Sequence, residues 1–150
     1  MTEVLFYHLD SRPLEAVLPP LLQKTLERGW TAVVQAGSAE RVEALDTHLW
    51  TFADESFLPH GTGADGYAPE HPIFLTTDDA NPNGAAVRFL VDRAPPPTDA
   101  SVYERLVLVF DGNDPDALAE ARVAWKALKE AGHAVTYWQQ TARGGWERKA

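Results

Sequence analysis

The chain has 150 residues, 45% of them hydrophobic, a size and composition typical of one globular domain that buries most of its unfolded surface. It has no cysteine, which excludes a disulfide framework and a thiolate metal site. Its 13 basic and 22 acidic residues give a net charge of −9, the wrong sign for a protein that binds nucleic-acid phosphates over a wide surface. Because it has neither a basic and apolar leader nor an apolar run of about 20 residues, we expect an unexported, cytoplasmic protein.

Charge is distributed unevenly along the chain. Residues 121–150 hold two carboxylates against six cations, which are Arg122, Lys126, Lys129, Arg143, Arg148 and Lys149. The acidic excess therefore belongs to residues 1–120. An acidic partner is expected to bind the carboxyl-terminal end of the chain.

The first part of the chain alternates strand and helix patterns. Short apolar runs typical of strands and apolar residues at helical spacing follow one another at residues 4–9, 14–28, 31–35 and 39–50. Ser38 is the expected N-cap of the second helix. This order predicts parallel strands. From residue 51 to residue 70 the apolar residues follow neither helical nor strand periodicity, and the glycines and prolines there predict a long irregular loop.

Strand patterns return in the second part of the chain, at residues 72–76, 86–91, 105–110 and 134–138. The third of these is a nearly continuous apolar run, which is typical of a strand covered on both faces and predicts a place inside the sheet. The last two are separated by a helical pattern.

The alternation of strands and helices predicts an α/β fold. We expect a single Rossmann-like domain over residues 1–140, with an open, largely parallel sheet and helices on both faces, hence three layers. Residues 141–150 are expected to form a basic C-terminal tail.

Motifs for catalysis and cofactor binding occur only in unsuitable contexts. Residues 61–66 match the spacing Gly-x-Gly-x-x-Gly of dinucleotide-binding turns, but no strand pattern precedes them and no helix pattern follows. The turn after the first strand, residues 10–13, contains no glycine. The position that usually binds phosphate in such a sheet is therefore expected not to bind it. The five histidines lack zinc-ligand spacing. We therefore expect no catalytic residue, no metal and no cofactor.

The last predicted helix begins at Asp114 and Pro115, an N-cap followed by a first-turn proline, and ends near Gly132, which suits a left-handed C-terminal position. A helical wheel places its core face at Ala117, Ala121, Ala124, Leu128 and Ala131.

Beside this core face, Arg122, Trp125, Lys126 and Lys129 fall at i, i+3, i+4 and i+7 and share one side of the helix. One interpretation is structural: the indole borders the core and the cations solvate the helix. The other is a peptide site, in which the indole receives an apolar anchor and the cations pair with carboxylates. The second interpretation fits the capture of an acidic chain terminus that ends in an apolar residue.

A second aromatic cluster lies at the end of the second predicted helix and the start of the long loop. Its members are Trp50, Phe52, Phe57, Leu58 and Pro59. So much apolar area in a loop covers something, which is either the edge of the sheet or the surface of another protein.

Several motifs resemble one known family. Leu49 and Trp50, followed by Asp-Glu-Ser-Phe-Leu-Pro-His at residues 54–60, are similar to the central signature of the DNA polymerase III chi subunit family. The resemblance extends over nearly the whole chain, in the family's order, through Phe6-Tyr7, Pro72-Ile73-Phe74-Leu75, Asn81-Pro82-Asn83, Phe110-Asp111 and the last helix.

The resemblance implies a non-catalytic accessory subunit that links the clamp loader of the DNA polymerase III holoenzyme to single-stranded-DNA-binding protein. It implies that Arg122, Trp125, Lys126 and Lys129 bind the acidic carboxyl-terminal tail of that protein, with tryptophan at the position of a more familiar tyrosine. It also implies a second interface, with the psi subunit of the clamp loader.

The family's second interface matches Trp50, Phe57 and Pro59 here. Two other functions are kept beside this hypothesis. One is an enzyme that handles a nucleotide or a phosphorylated metabolite on the same fold. The other is direct binding of single strands through the basic tail and Trp138 or Trp146.

Overall fold

The structure is a computed structural model of the protein that describes residues 2–51, 60–62, 71–97, 99–143 and 145–150, with the backbone alone at residues 50 and 51. The strands are β1 (Glu3–Leu9), β2 (Ala32–Gln35), β3 (His60–Thr62), β4 (Ile73–Thr76), β5 (Val87–Leu90), β6 (Arg105–Asp111), β7 (Ala134–Gln140) and β8 (Trp146–Arg148). The helices are α1 (Leu14–Glu27), α2 (Ala39–Thr51) and α3 (Pro115–Glu130), with a short 3-10 turn at Ala100–Val102.

Within the described residues, the strands form one sheet in the order β3-β4-β2-β5-β6-β1-β7-β8. Every pairing is parallel except that of β7 with β8, which is antiparallel. The predicted α/β fold is thereby confirmed. The continuous apolar run of β6 lies between β5 and β1, inside the sheet as expected, because only a strand covered on both faces is apolar throughout.

Helices cover the two faces of this sheet and so build the three layers. On one face, α1 and α2 bury a set of aliphatic side chains against the strands: Val17, Leu18, Leu22, Val42, Leu45 and Leu49. On the other face, α3 packs on β6, β1 and β7 through Ala117, Ala121, Ala124 and Leu128. The alanines have short side chains and let the axis of α3 lie close to the sheet.

The ends of α3 agree with the sequence prediction. The Asp114 carboxylate accepts hydrogen bonds from the backbone N–H groups of Asp116 and Ala117, and Gly132 has a φ of +92°. The prediction was wrong for Ala131, which is exposed because the last helical residue is Glu130 and the chain turns away there.

A second correction concerns the long loop predicted at residues 51–70. His60–Thr62 form β3, which pairs with β4 at the edge of the sheet. No alternating or apolar pattern marks these three residues, because backbone pairing with a neighbour, rather than their own side chains, makes them a strand. At the opposite edge, Trp146–Arg148 pair with β7 as β8, within the segment expected as a tail. The domain boundary at residue 140 stays a prediction.

Candidate functional site

The four residues predicted to bind a peptide lie along one side of α3, here called the α3 stripe: Arg122, Trp125, Lys126 and Lys129. The three cationic side chains are exposed and the indole of Trp125 is half-buried. They lie on the flank of α3 that faces β7, since Trp125 packs beside Tyr137 of that strand. The helical spacing alone predicted this grouping.

Aromatic contacts with the core hold the indole of Trp125 in place. Its ring centroid lies 5.5 Å from that of Phe6, with an interplanar angle of 65°, and 5.9 Å from that of Tyr137, at 74°. Edge-to-face pairs of this kind add to the burial energy of the rings. Trp125 is therefore a border residue of the core, as the structural interpretation expected. The same packing gives the α3 stripe a rigid aromatic wall.

Two cations of the α3 stripe, Lys129 and Arg122, lie near these rings. Nζ of Lys129 lies 5.7 Å from the centroid of the Trp125 indole, a cation–π contact. Burial raises the pKa of the Tyr137 phenol, and the positive charge of Arg122 opposes that increase in pKa. Arg122 therefore lies within electrostatic reach of Tyr137, and the α3 stripe extends onto β7.

Tyr137 and Phe6 were not among the predicted site residues. A usable signal was present, because Val135 and Tyr137 alternate along β7 and both pack against the core under α3. The pairing of β7 with β1 then aligns Tyr137 with Phe6. Residues that far apart in the sequence are brought together only by the sheet.

The charges of the α3 stripe are available to a ligand. In the described part of the chain, every ion pair between side chains involves groups other than Arg122, Lys126 and Lys129. Exposed, unpaired cations beside a fixed aromatic wall form hydrogen-bonded pairs with carboxylates at little cost in broken contacts. This arrangement suits an acidic peptide that ends in an apolar side chain.

The residues predicted for a second interface cannot be placed in the same way. Phe57 and Pro59 lie outside the described residues, and Trp50 is described only by its backbone, in the last turn of α2. This interface stays a prediction.

A crevice of about 470 Å³ lies at the carboxyl edge of the sheet, next to the ends of β1 and β6. Such crevices hold the ligands of many open α/β sheets. Two of the three arginines in its lining face carboxylates: Nη1 of Arg41 lies 2.6 Å from Oε1 of Glu15, and Arg93 pairs with Glu120. Asp10, Asp111 and Asp114 add further negative charge to the lining. The crevice is therefore poorly suited to a highly charged anion.

The described residues contain no group of three or more His, Cys, Asp or Glu side chains that could together hold a metal ion. None of the helices in the described ranges has the length and apolar character needed to cross a membrane.

The architecture defines a single-sheet α/β protein in which α3 presents cations and an aromatic ring at its surface. A sequence model of the family described as DNA polymerase III chi subunit, HolC, matches residues 1–136. The chain is also 25% identical over 121 residues to a protein of Rickettsia prowazekii (strain Madrid E) named probable DNA polymerase III subunit chi, covering 74% of this chain and 71% of that protein. The chain belongs to the DNA polymerase III chi subunit family, as its motifs predicted, and is thus a replication accessory subunit.

Proposed function

We propose that the chain is a non-catalytic adaptor that ties the clamp loader of DNA polymerase III to single-stranded-DNA-binding protein. The observation that carries the proposal is the α3 stripe, in which Arg122, Lys126 and Lys129 are exposed and lie beside an indole fixed by the core. The ligand is the acidic carboxyl-terminal tail of single-stranded-DNA-binding protein, which ends in an apolar proline-phenylalanine pair in the family that the motifs resemble.

Electrostatics support this choice of ligand. The chain as a whole has a net charge of −9, so an acidic peptide is repelled by most of its surface. The α3 stripe lies within residues 121–150, where six cations face two carboxylates. Binding to the α3 stripe should therefore be both oriented and sensitive to salt.

Packing supports it as well. The terminal phenylalanine of the tail needs an apolar surface that stays in place, and the edge-to-face contacts with Phe6 and Tyr137 hold the Trp125 indole. A preorganised wall lowers the entropy lost on binding.

The same proposal includes a cytoplasmic location and a second partner, the psi subunit of the clamp loader. That partner is proposed to bind through Trp50, Phe57 and Pro59, on the basis of the family signature. In this proposal the chain associates with single-stranded DNA mainly indirectly, through the bound single-stranded-DNA-binding protein.

An enzyme that handles a nucleotide or phosphorylated metabolite is the second candidate, and the crevice at the carboxyl edge is the observation that favours it. The carboxylates of that crevice weigh against a phosphorylated ligand. A thermal-shift screen with nucleotides checks this candidate, because tight binding to the native state raises the Tm.

Calorimetric titration with a synthetic acidic tail peptide tests the adaptor directly. Lys126→Glu reverses one charge of the α3 stripe, and Lys24→Glu makes the same change on α1, across the sheet, as a matched control. We expect Lys126→Glu to weaken binding about tenfold or more and to reduce its dependence on salt, because a charge-assisted contact is lost. Lys24→Glu should bind like the wild type.

Trp125→Ala tests the aromatic wall in the same titration and should abolish measurable binding. Because Trp125 also packs on the core, circular dichroism must show that this variant is folded. Equal weakening by the changes at Lys126 and Lys24 would mean that only net charge matters. Tight binding by both α3 variants would remove the site assignment.

A further inference from the structure

The turn between β1 and α1 closes around a side chain from the other end of the protein. The backbone N–H groups of Asp10, Ser11 and Arg12 all donate to Oε1 of Gln140, at 3.0, 3.0 and 2.9 Å. Gln140 is the last residue of β7 and is only 3% exposed. Three consecutive amides therefore converge on one buried oxygen.

Consecutive amides that point at one position form a nest, a backbone arrangement that binds oxyanions. The turn follows the first parallel strand and precedes a helix, beside the crevice at the carboxyl edge. In nucleotide-binding α/β sheets this turn is where phosphate is held. Residues 10–13 contain no glycine, yet three of their amides converge on one position.

The carboxamide of Gln140 is an imperfect occupant of this nest. Its oxygen satisfies the three donors, but its Nε2 is buried and lacks a hydrogen-bond acceptor among the described residues. A buried donor without an acceptor costs free energy. The three amides of the nest need acceptors, and an oxyanion offers them several negatively charged acceptor oxygens.

The surrounding hydrogen bonds keep the end of β7 against the turn. Nε2 of the neighbouring Gln139 donates to the Asp10 carboxylate at 3.1 Å, and the Ser11 hydroxyl donates to the carbonyl oxygen of Thr141 at 2.9 Å. The turn and β7 therefore stay aligned through contacts other than those of Gln140.

We propose that the β1–α1 turn is an oxyanion site whose resident ligand is the chain's own Gln140. In the wild type the carboxamide closes the site. Gln140 is not among the residues that line the carboxylate-rich crevice, so the position it fills is separate from that open volume, and withdrawing the carboxamide opens this position to a small tetrahedral oxyanion such as phosphate. This inference is independent of the proposed adaptor function, since the turn and the α3 stripe are different surfaces.

Thermal unfolding of Gln140→Ala, with and without inorganic phosphate, tests the proposal. In buffer with chloride, the variant should lose about 5 °C in Tm, because three amides lose their acceptor. Phosphate at about 50 mM should raise its Tm by about 2 °C more than chloride at the same ionic strength does, through binding to the native state. The wild type and the matched control Gln139→Ala, which leaves the nest filled, should show no such difference between the two salts.

A milder variant keeps the test valid if Gln140→Ala does not fold. In Gln140→Asn the amide oxygen is withdrawn by one methylene, so phosphate should again stabilise the variant and should shift the NMR amide signals of residues 10–12. AMP should do no better than phosphate, because carboxylates line the adjoining crevice. Equal effects of phosphate on the wild type and both variants, unshifted amide signals, or binding of AMP but not phosphate would overturn the proposal.

Discussion

The hydroxyl of Tyr137 lies 2.6 Å from Nδ1 of His8, and this hydrogen bond joins β7 to the carboxyl end of β1. Tyr137 also contacts Trp125 of the α3 stripe. The protonation state of His8 therefore affects a tyrosine that supports the proposed peptide site. Burial lowers the pKa of His8 from its ordinary value of 6.5, although the charges of Asp10 and Asp111 oppose that decrease.

This pKa predicts how stability depends on pH. Above pH 6.5 His8 is neutral in both the folded and the unfolded chain, so its contribution to stability is fully present. As pH falls below that value, the unfolded chain takes up a proton first, and stability declines until pH reaches the folded pKa. His8→Gln should therefore flatten the fall in the free energy of unfolding between about pH 7 and pH 5, measured with urea. An unchanged pH profile would assign the dependence to other groups.

Gly112 lies against the ring of His8 and leaves no room for a side chain. A Cβ at Gly112 would lie 1.7 Å from Nε2 of His8, so Gly112→Ala must displace the imidazole. We expect a loss of about 1–3 kcal/mol in the free energy of unfolding, the range for overpacking. In a His8→Ala background the same substitution should cost almost nothing, and a double-mutant cycle measures this coupling. Additive losses would contradict the predicted clash.

Arg88 is a fully buried cation in β5, 0% exposed, and it fastens the loop before that strand. Its guanidinium donates to Oε1 of Gln35, to the Tyr103 hydroxyl and to the carbonyl oxygens of Asp78 and Ala80. Arg88→Met leaves these buried acceptors without a donor and should cost about 3 kcal/mol in urea unfolding.

The control for this experiment is Arg93→Met, which removes an exposed arginine that pairs with Glu120. Exposed ion pairs contribute little, so the unfolding midpoint should hardly move. A similar loss at both positions would show that burial does not decide the cost.

Trp146 joins the end of the chain to the core. Its indole centroid lies 4.7 Å from the ring of Tyr7, and the side chain packs against the cluster under α1. Trp146→Ala should therefore cost about 2 kcal/mol, less than a fully buried aromatic because the indole is half-exposed. Thermal unfolding measures this loss, with Lys149→Ala as an exposed neighbour for comparison. Equal Tm values for the two variants would mean that the end of the chain does not contribute to the core.

Local patterns in the sequence determined much of this protein. Apolar periodicity predicted the three helices and the parallel α/β sheet, because each helix or strand must bury its own apolar face. The i, i+3, i+4, i+7 spacing placed Arg122, Trp125, Lys126 and Lys129 on one side of α3, since helix geometry is the same in any context. The motifs predicted the family that the comparison then confirmed.

The tertiary structure alone decided what depends on residues far apart in the chain. Gln140 fills the nest of residues 10–12 across 130 positions, β3 exists because β4 lies beside it, and Tyr137 supports Trp125 because β7 pairs with β1. No local pattern marks Gln140 or β3, and the alternation that marks Tyr137 as facing the core does not reveal which rings it contacts. Only the folded sheet brings together the hydrogen-bonding groups and rings that give these residues their roles.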